Sequence, residues 1–539
     1  MRGSTARPTT CCGRCPTCRS RPRRGTNPER RQEPEKPLRL EIPQLHATSR
    51  TAFWLFLRGL AAVYFIAFSS LIPQIAGLVG ERGILPAGSF LSILGQELGA
   101  RAFCAVPTLF WLHLSDGMLL GAVVAGAGLS LLLLFDFAPG PILLALWFLY
   151  LSIVSVGQEF FSFQWDGLLL EAGLLAVLAA PWRLRPRFNS LPAPPAFPLF
   201  LLRWLLFRFI LLNGLVKLSS GDPSWQDLGA LSYHYFTQPL PSPLSWWFHH
   251  LPLGFHRASA LVLFAIELGT PFLIFGGWRL RRIACGGIVG LQLLIMLTGN
   301  LAFLNWLTLV LACLLLDDAC FIRSRRLEEA LTRPAPPCRL GSARRAVTYG
   351  LGGFLLAWSV LVSFERLAPF ALPGWLETAE AYVDPWRSVN PYGLFAVMTK
   401  SRTEITIEGS NDGVHWKAYP FRYKPGDAQA APGWIAPYQP RLDWQMWFAA
   451  LSNGEKTAWF PNLLARLLLG SPDVLRLFAA NPFPDHPPRL VRALSSAYRF
   501  TTPQERAATG AWWKIEPAGW YYPAISLRAP ARPAAAPKP

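Results

Sequence analysis

Long apolar runs recur along this chain, at Thr51–Ile75, Gly117–Phe137, Pro141–Phe163, Gly167–Ala180, Phe197–Leu218, Ala258–Trp278, Ile283–Thr298, Leu301–Leu316 and Val347–Phe364. Most are near the ~17–25 residues a helix needs to cross a bilayer. A chain with so many must bury them in lipid or against each other, so the expectation is a polytopic α-helical membrane protein of about nine spans. The fourth, seventh and eighth runs are the shortest. A composition that is 52% hydrophobic and only 15% charged excludes an ordinary soluble domain. The polar, Arg- and Pro-rich stretch before Thr51, and the length of the first run, read as a signal anchor rather than a cleaved signal peptide.

The formal net charge of +19 invites a nucleic-acid reading, but the positions of the arginines speak against it. With the basic N-terminus inside, nine crossings place Arg183–Arg187, Arg279–Arg282 and the link from Arg323 to Arg345 on one side, as the positive-inside rule requires. The charge is then topogenic, and no nucleic-acid partner is expected. The same count puts the loop 221–255 and everything after Phe364 on the extracytoplasmic face.

Four parts follow: a disordered basic leader (1–50), a helical bundle (51–366), a C-terminal extracytoplasmic domain (367–527) and a Pro/Ala tail (528–539) too poor in apolar residues to fold. The domain reads as α+β and strand-rich. Arg402–Glu408 alternates in strand fashion, Asn411-Asp412-Gly413 supplies a turn before Val414–Tyr423, Trp444–Leu451 and Leu463–Leu469 look helical, and Leu490–Phe500 and Trp512–Ile515 read as strands.

Ionisable groups at membrane depth are costly and become functional candidates. Here they are Arg58, Glu159, Asp166, Glu171, Arg208, Asn213, Lys217 and Glu267, taken as an intramembrane polar cluster. Arg203 and Lys217 can reach an interface from the ends of their helix. Arg208 cannot, and it should face Glu171 or Glu267. Helix-locking ion pairs are a simpler reading of this set than chemistry, because buried polar groups must be paired whatever the function.

Motifs for other chemistry are missing. His234, His249, His250 and His256 match no standard zinc spacing, and Cys11, Cys12, Cys15 and Cys18 lack a second ligand pair, so neither a metal nor a cofactor is called for. There is no GxSxG elbow, P-loop or dinucleotide fingerprint. Gly286 and Gly290 form a GxxxG, read as close helix packing.

The loop 221–255, GDPSWQDLGALSYHYFTQPLPSPLSWWFHHLPLGF, is dense in Trp, Tyr, His and Pro. Its rings suit either an interfacial belt or a binding surface. Together with Gly157–Gly173, Arg208–Pro252, Thr298–Asp318, Asn390–Asp427 and Ile435–Leu451, it resembles the lipase maturation factor family over nearly all of the chain from Thr51 to Tyr522. That resemblance implies a multi-pass protein that assists folding of secreted lipases, in animals in the endoplasmic reticulum membrane, with its C-terminal domain facing the clients. The Ala-, Arg- and Pro-rich composition suits a bacterial homologue, for which the membrane would be the inner membrane.

The reading is therefore a non-enzymatic, membrane-anchored folding factor whose partners are membrane lipids and a secreted lipase or other immature extracytoplasmic protein. Candidate client-binding residues are Trp225, Tyr233, Tyr235, Phe236, Trp246 and Trp247 in the loop, with Tyr392, Phe395, Trp416, Tyr438, Trp444 and Trp447 in the domain. For any single one, core burial competes with client contact. The rival is a polytopic membrane enzyme acting on a lipid or polypeptide, distantly like the vitamin-K-dependent carboxylase bundle, using Glu159, Asp166, Glu171, Arg208, Lys217 and the loop histidines. A transporter is disfavoured, since no paired broken helices or inverted halves are visible.

Overall fold

The computed structural model describes residues 49–185, 193–321, 340–368, 372–452 and 457–527. The leader with its four cysteines, most of the link from Arg323 and the Pro/Ala tail lie outside the described residues.

Among the described residues, six helices are long and apolar enough to cross a membrane: α1 (Arg50–Leu71), α2 (Asp116–Leu134), α3 (Pro139–Val156), α5 (Ala196–Ser219), α7 (Trp278–Thr298) and α9 (Ser342–Leu367). The other three expected runs are helical but short or interrupted. Helix α4 (Gln164–Ala179) is buried at every position from Trp165 to Ala179. Apart from Asp166 and Glu171 it is almost wholly apolar, as a helix walled by protein on all sides can be, so its length need not match the bilayer. Helix α6 (Leu253–Phe264) continues through a π turn (Ala265–Gly269) into Thr270–Leu273. The cause is Pro271, which has no N–H to give to the carbonyl four residues back, at Glu267. Helix α8 (Leu304–Cys313) has ten residues.

Successive segments alternate in direction, which gives the bundle two distinct ends. At one end the Asp318 carboxylate accepts the first N–H groups of α1, at 3.2 Å from Arg50 and 2.8 Å from Thr51. Arg282 pairs with Asp317 at 2.7 Å, Arg203 donates to the Leu314 carbonyl at 2.9 Å, and Arg344 donates to the Ala180 carbonyl at 2.6 Å. This end is therefore held by arginines on helix carbonyls and on the Asp317-Asp318 pair. The C-terminal part packs on the opposite end, and the main hydrophobic cluster runs without a break from Phe56 and Leu168 in the bundle to Tyr392, Trp444 and Val491 beyond it.

The C-terminal part carries a four-stranded antiparallel sheet in the order β2-β1-β3-β4, with β1 (Arg402–Ser410), β2 (Lys417–Ala418), β3 (Leu490–Phe500) and β4 (Trp513–Ile525). The Asn-Asp-Gly turn is built as the sequence suggests. Asp412 Oδ1 accepts the N–H groups of Val414 and His415, both at 2.8 Å, and Gly413 takes φ +78°, where a side chain would be strained. The return strand expected over Val414–Tyr423 pairs only briefly, because Pro420 has no N–H to continue the ladder. The helices of this part include α10 (Arg441–Ala450), α11 (Phe460–Leu468) and α12 (Pro503–Thr509). The last begins with a capping box between Thr502 and Glu505.

Candidate functional site

The ionisable residues in the bundle form separate paired units rather than one open cluster, with Arg208 Nε and Nη1 and Arg441 Nε buried without a hydrogen-bond partner among the described residues. On α4, Glu171 pairs with Arg208 of α5, the partner expected from sequence. The second oxygen of Glu171 accepts the Tyr392 hydroxyl at 2.7 Å and the Asn390 N–H at 3.1 Å. In the first turn of α4, Asp166 accepts the Tyr150 hydroxyl and both terminal nitrogens of Arg441, the latter at 2.9 and 2.8 Å. Asp166 and Arg441 are fully buried. On α5, Lys217 is buried and clamped by both oxygens of Glu267, each at 2.9 Å, and by the Asn213 carbonyl. It does not reach the interface as expected, because the π turn of α6 delivers a carboxylate to it.

Two members of the expected cluster stand elsewhere. Arg58 pairs with Asp136 at 2.7 Å and stacks over Trp54, near the arginine-rich end. Glu159 lies in the short 3-10 turn Gln158–Phe161 after α3 and is exposed, and its backbone carbonyl accepts from Gln445 and Ser162. The close helix approach expected at Gly286 and Gly290 is not made there. A Cβ at either would meet nothing within 4 Å, whereas one at Gly287 would stand 3.0 Å from Thr270.

Sequence reasoning missed the groups that tie the C-terminal part to the bundle. Gln74 donates to the Gln439 carbonyl at 2.9 Å and accepts the Arg441 N–H at 2.9 Å. The Asn213 side chain accepts the Leu394 N–H at 2.6 Å, and Asp222 the Met398 N–H at 2.6 Å. The Asn300 Oδ1 accepts the N–H groups of Ile435 and Ala436, at 2.8 and 3.0 Å. These side chains satisfy backbone that enters the contact without secondary structure of its own. Charge accounting gives only the deficit: once Arg58 is matched to Asp136, the carboxylates Asp166, Glu171 and Glu267 face only Arg208 and Lys217, so one more cation is needed, but the count does not say which.

The aromatic loop is equally bound to the C-terminal part. Arg402, at the start of β1, donates to the carbonyls of Phe236, Gln238 and Pro239, and is held from behind by Glu404. Trp246 Nε1 donates to the Thr501 carbonyl at 3.0 Å, and Trp447 Nε1 to the Thr237 carbonyl at 2.8 Å. Trp246 packs with Tyr498, Phe500 and Trp513 of the sheet. The Arg506 guanidinium of α12 lies 4.6, 5.4 and 3.6 Å from the rings of Trp246, Trp247 and Trp512.

The expected client-binding aromatics divide accordingly. Trp225, Tyr235, Trp246, Tyr392 and Trp444 are buried. Tyr233, Phe236, Phe395, Trp416, Tyr438 and Trp447 are half-buried. Trp247 is 56% exposed. Other exposed large side chains on the same elements are Phe448, Leu451 and Trp520, which the sequence did not single out. The histidines of the loop are committed to packing: His249 Nδ1 meets the Ser232 carbonyl at 3.1 Å and His250 Nδ1 the Trp246 carbonyl at 2.7 Å. Burial lowers His249 to about 4, with His250 adding to the effect, and lowers His234 to about 4, with Lys217 adding, so both imidazoles are neutral at pH 7.

Two family models match this chain: the lipase maturation factor transmembrane domain over residues 51–323 and the lipase maturation factor C-terminal domain over residues 388–523. Human lipase maturation factor 2 is 36% identical, over 90% of this chain and 84% of its own length. Bovine lipase maturation factor 1 is 36% identical over 88% of this chain and 89% of its own length, and the human form of factor 1 is 36% identical over 88% of each. No solved structure matches.

Proposed function

This chain belongs to the lipase maturation factor family, and from that membership we propose that it is an integral membrane folding factor that assists maturation of secreted lipases or other extracytoplasmic proteins. The observation that carries this reading is the fusion of the aromatic loop with the sheet through Trp246, Arg402 and Arg506. It turns two segments far apart in sequence into one surface, with Trp247 left exposed on it. Rigid, solvent-facing rings on a braced scaffold give contact area at little entropic cost, as an incompletely folded client requires. The half-buried Phe236 and Trp447 support it, through His249 and the Thr237 carbonyl.

The alternating segments support nine crossings. The arginine-rich end, with Arg282 and Arg344, is then cytoplasmic, and the C-terminal part faces the lumen or, in a bacterium, the space beyond the inner membrane. An enzyme reading is less favoured, because the buried carboxylates Asp166, Glu171 and Glu267 are each paired with a cation.

The test uses the full chain in native membranes. A photocrosslinking amino acid at Trp247 is expected to capture newly made secreted lipase, whereas one at Leu261 on the flank of α6 is expected to capture none. A reporter after Leu527 should be protected from cytoplasmic reagents, and one inserted at Arg333 should be accessible. Equal capture at both positions, or both reporters on one side, would refute the proposal.

A further inference from the structure

Between α5, α6, α7 and α8 lies a cavity of about 480 Å³, walled chiefly by Ile210, Leu231, Phe248, Leu263, Leu291 and Leu304. This falls within the ~300–1,000 Å³ typical of small-molecule sites. Its rim includes Phe255, Ala258, Val262 and Leu294, all of which are exposed. The entrance thus opens between two helices along an apolar flank that also carries Leu261 and Leu293. In an integral membrane protein such a flank meets acyl chains, so the entry route is from lipid.

The apolar wall is interrupted by a few polar groups. Asn305 is 1% exposed; its Nδ2 donates to Gln292 Oε1 at 2.7 Å, and its Oδ1, among the described residues, has no hydrogen-bond partner. A buried acceptor left unmade costs ~1–3 kcal/mol, so this atom is set to receive a donor from whatever fills the cavity. The His234 imidazole, packed edge-on to Phe395, also lines the space, and burial keeps it neutral. Lys217 and Glu267 line it as well, but each cancels the other. The site therefore carries no net charge, and an ionised head would be desolvated there without a counterion.

We propose that this cavity binds an uncharged single-chain amphiphile of the monoacylglycerol class, its chain along the wall of α6 and α7 and its hydroxyl donating to Asn305. The small volume excludes a whole two-chain phospholipid. The neutral wall excludes a fatty-acid carboxylate or a phosphocholine head.

The experiment places the full-length protein in phosphatidylcholine nanodiscs with a monoacylglycerol carrying a photoreactive diazirine in its chain. Labelling is expected to map to the helices from Ala196 to Cys313 and to be displaced by unlabelled monoacylglycerol, but not by equal lysophosphatidylcholine or fatty acid. Val262→Trp should weaken labelling at least about tenfold by filling the entrance, and Asn305→Ala about fivefold by removing the acceptor. Label spread over all lipid-facing helices, label that monoacylglycerol does not displace, or equal displacement by the charged lipids overturns the proposal. If either variant melts below the parent protein, the competition on the unaltered chain decides alone. Client capture at Trp247 is a separate readout, so failure here leaves the folding-factor reading to its own test.

Discussion

Arg441 reaches from the first turn of α10 into the membrane bundle to grip Asp166, 275 residues earlier, with both terminal guanidinium nitrogens within 3 Å of the carboxylate. Neither group is accessible to water, and the same arginine also donates to the Phe160 carbonyl at 2.8 Å. The pair is a rivet between the two family-matched regions. Removing one partner strands the other as a buried charge, at a cost of ~3–5 kcal/mol, whereas replacing both by apolar groups is often far milder. Arg441→Met or Asp166→Leu alone should therefore sharply lower the thermal midpoint in detergent, and the double variant should recover much of it. Strictly additive losses would mean that the pair is not coupled.

Arg208 and Arg203 sit on the same helix but answer to different surroundings. Arg208 is 2% exposed and bonded to Glu171, while Arg203 lies at the arginine-rich end with carbonyl partners. Arg208→Leu should lower yield and melting temperature more than Arg203→Leu, because it leaves the buried Glu171 without its cation. Thermal shift in detergent gives the comparison, and an equal or reversed order contradicts it.

What could be read from the sequence divides along a physical line. The apolar runs, the Asn-Asp-Gly hairpin and the Arg208–Glu171 pair were legible, because each depends on local pattern or on a charge that has nowhere else to go. The contribution of Arg441 was not, since its Asp166 partner is known only once the chain has folded. Glu159 misled because an apolar run can end in an exposed turn. The rings of Trp225, Tyr392 and Trp444 are the kind a client surface would use, but they are buried in the core, and composition cannot tell the two uses apart.

Asp443 supplies a pH dependence outside the membrane. Its Oδ1 accepts the N–H groups of Tyr423 and Lys424, both at 3.0 Å, but burial dominates and raises the carboxyl to about 6. The unfolded value is ~3.9, so between these values the folded state binds more protons, and this group's contribution to stability falls as pH rises from 4 to 6. At ~1.4 kcal/mol per pH unit, the ionised form costs on the order of 2–3 kcal/mol above pH 6. Asp443→Asn keeps an acceptor oxygen without the charge, and should raise the melting temperature at pH 7.5 while leaving it nearly unchanged at pH 4. A variant that gains nothing at pH 7.5 would show that the carboxylate is stabilised there.

Adjacent tryptophans in the loop separate support from contact. Trp246 is 3% exposed and anchored on Thr501, so Trp246→Ala removes a ring from the core and a hydrogen bond from the loop. A loss of ~3–5 kcal/mol is expected from the ring alone. Trp247 is 56% exposed, and its truncation should change stability by no more than about 1 kcal/mol. If the exposed ring meets the client, Trp247→Ala should lower the yield of active lipase in cells that depend on this protein, while its abundance, membrane insertion and melting temperature stay the same. Trp246→Ala should lower abundance and lipase yield together. Unchanged lipase yield with Trp247→Ala would remove this ring from the client surface and shift attention to other exposed rings of the C-terminal part, such as Phe448, Trp434 and Trp520.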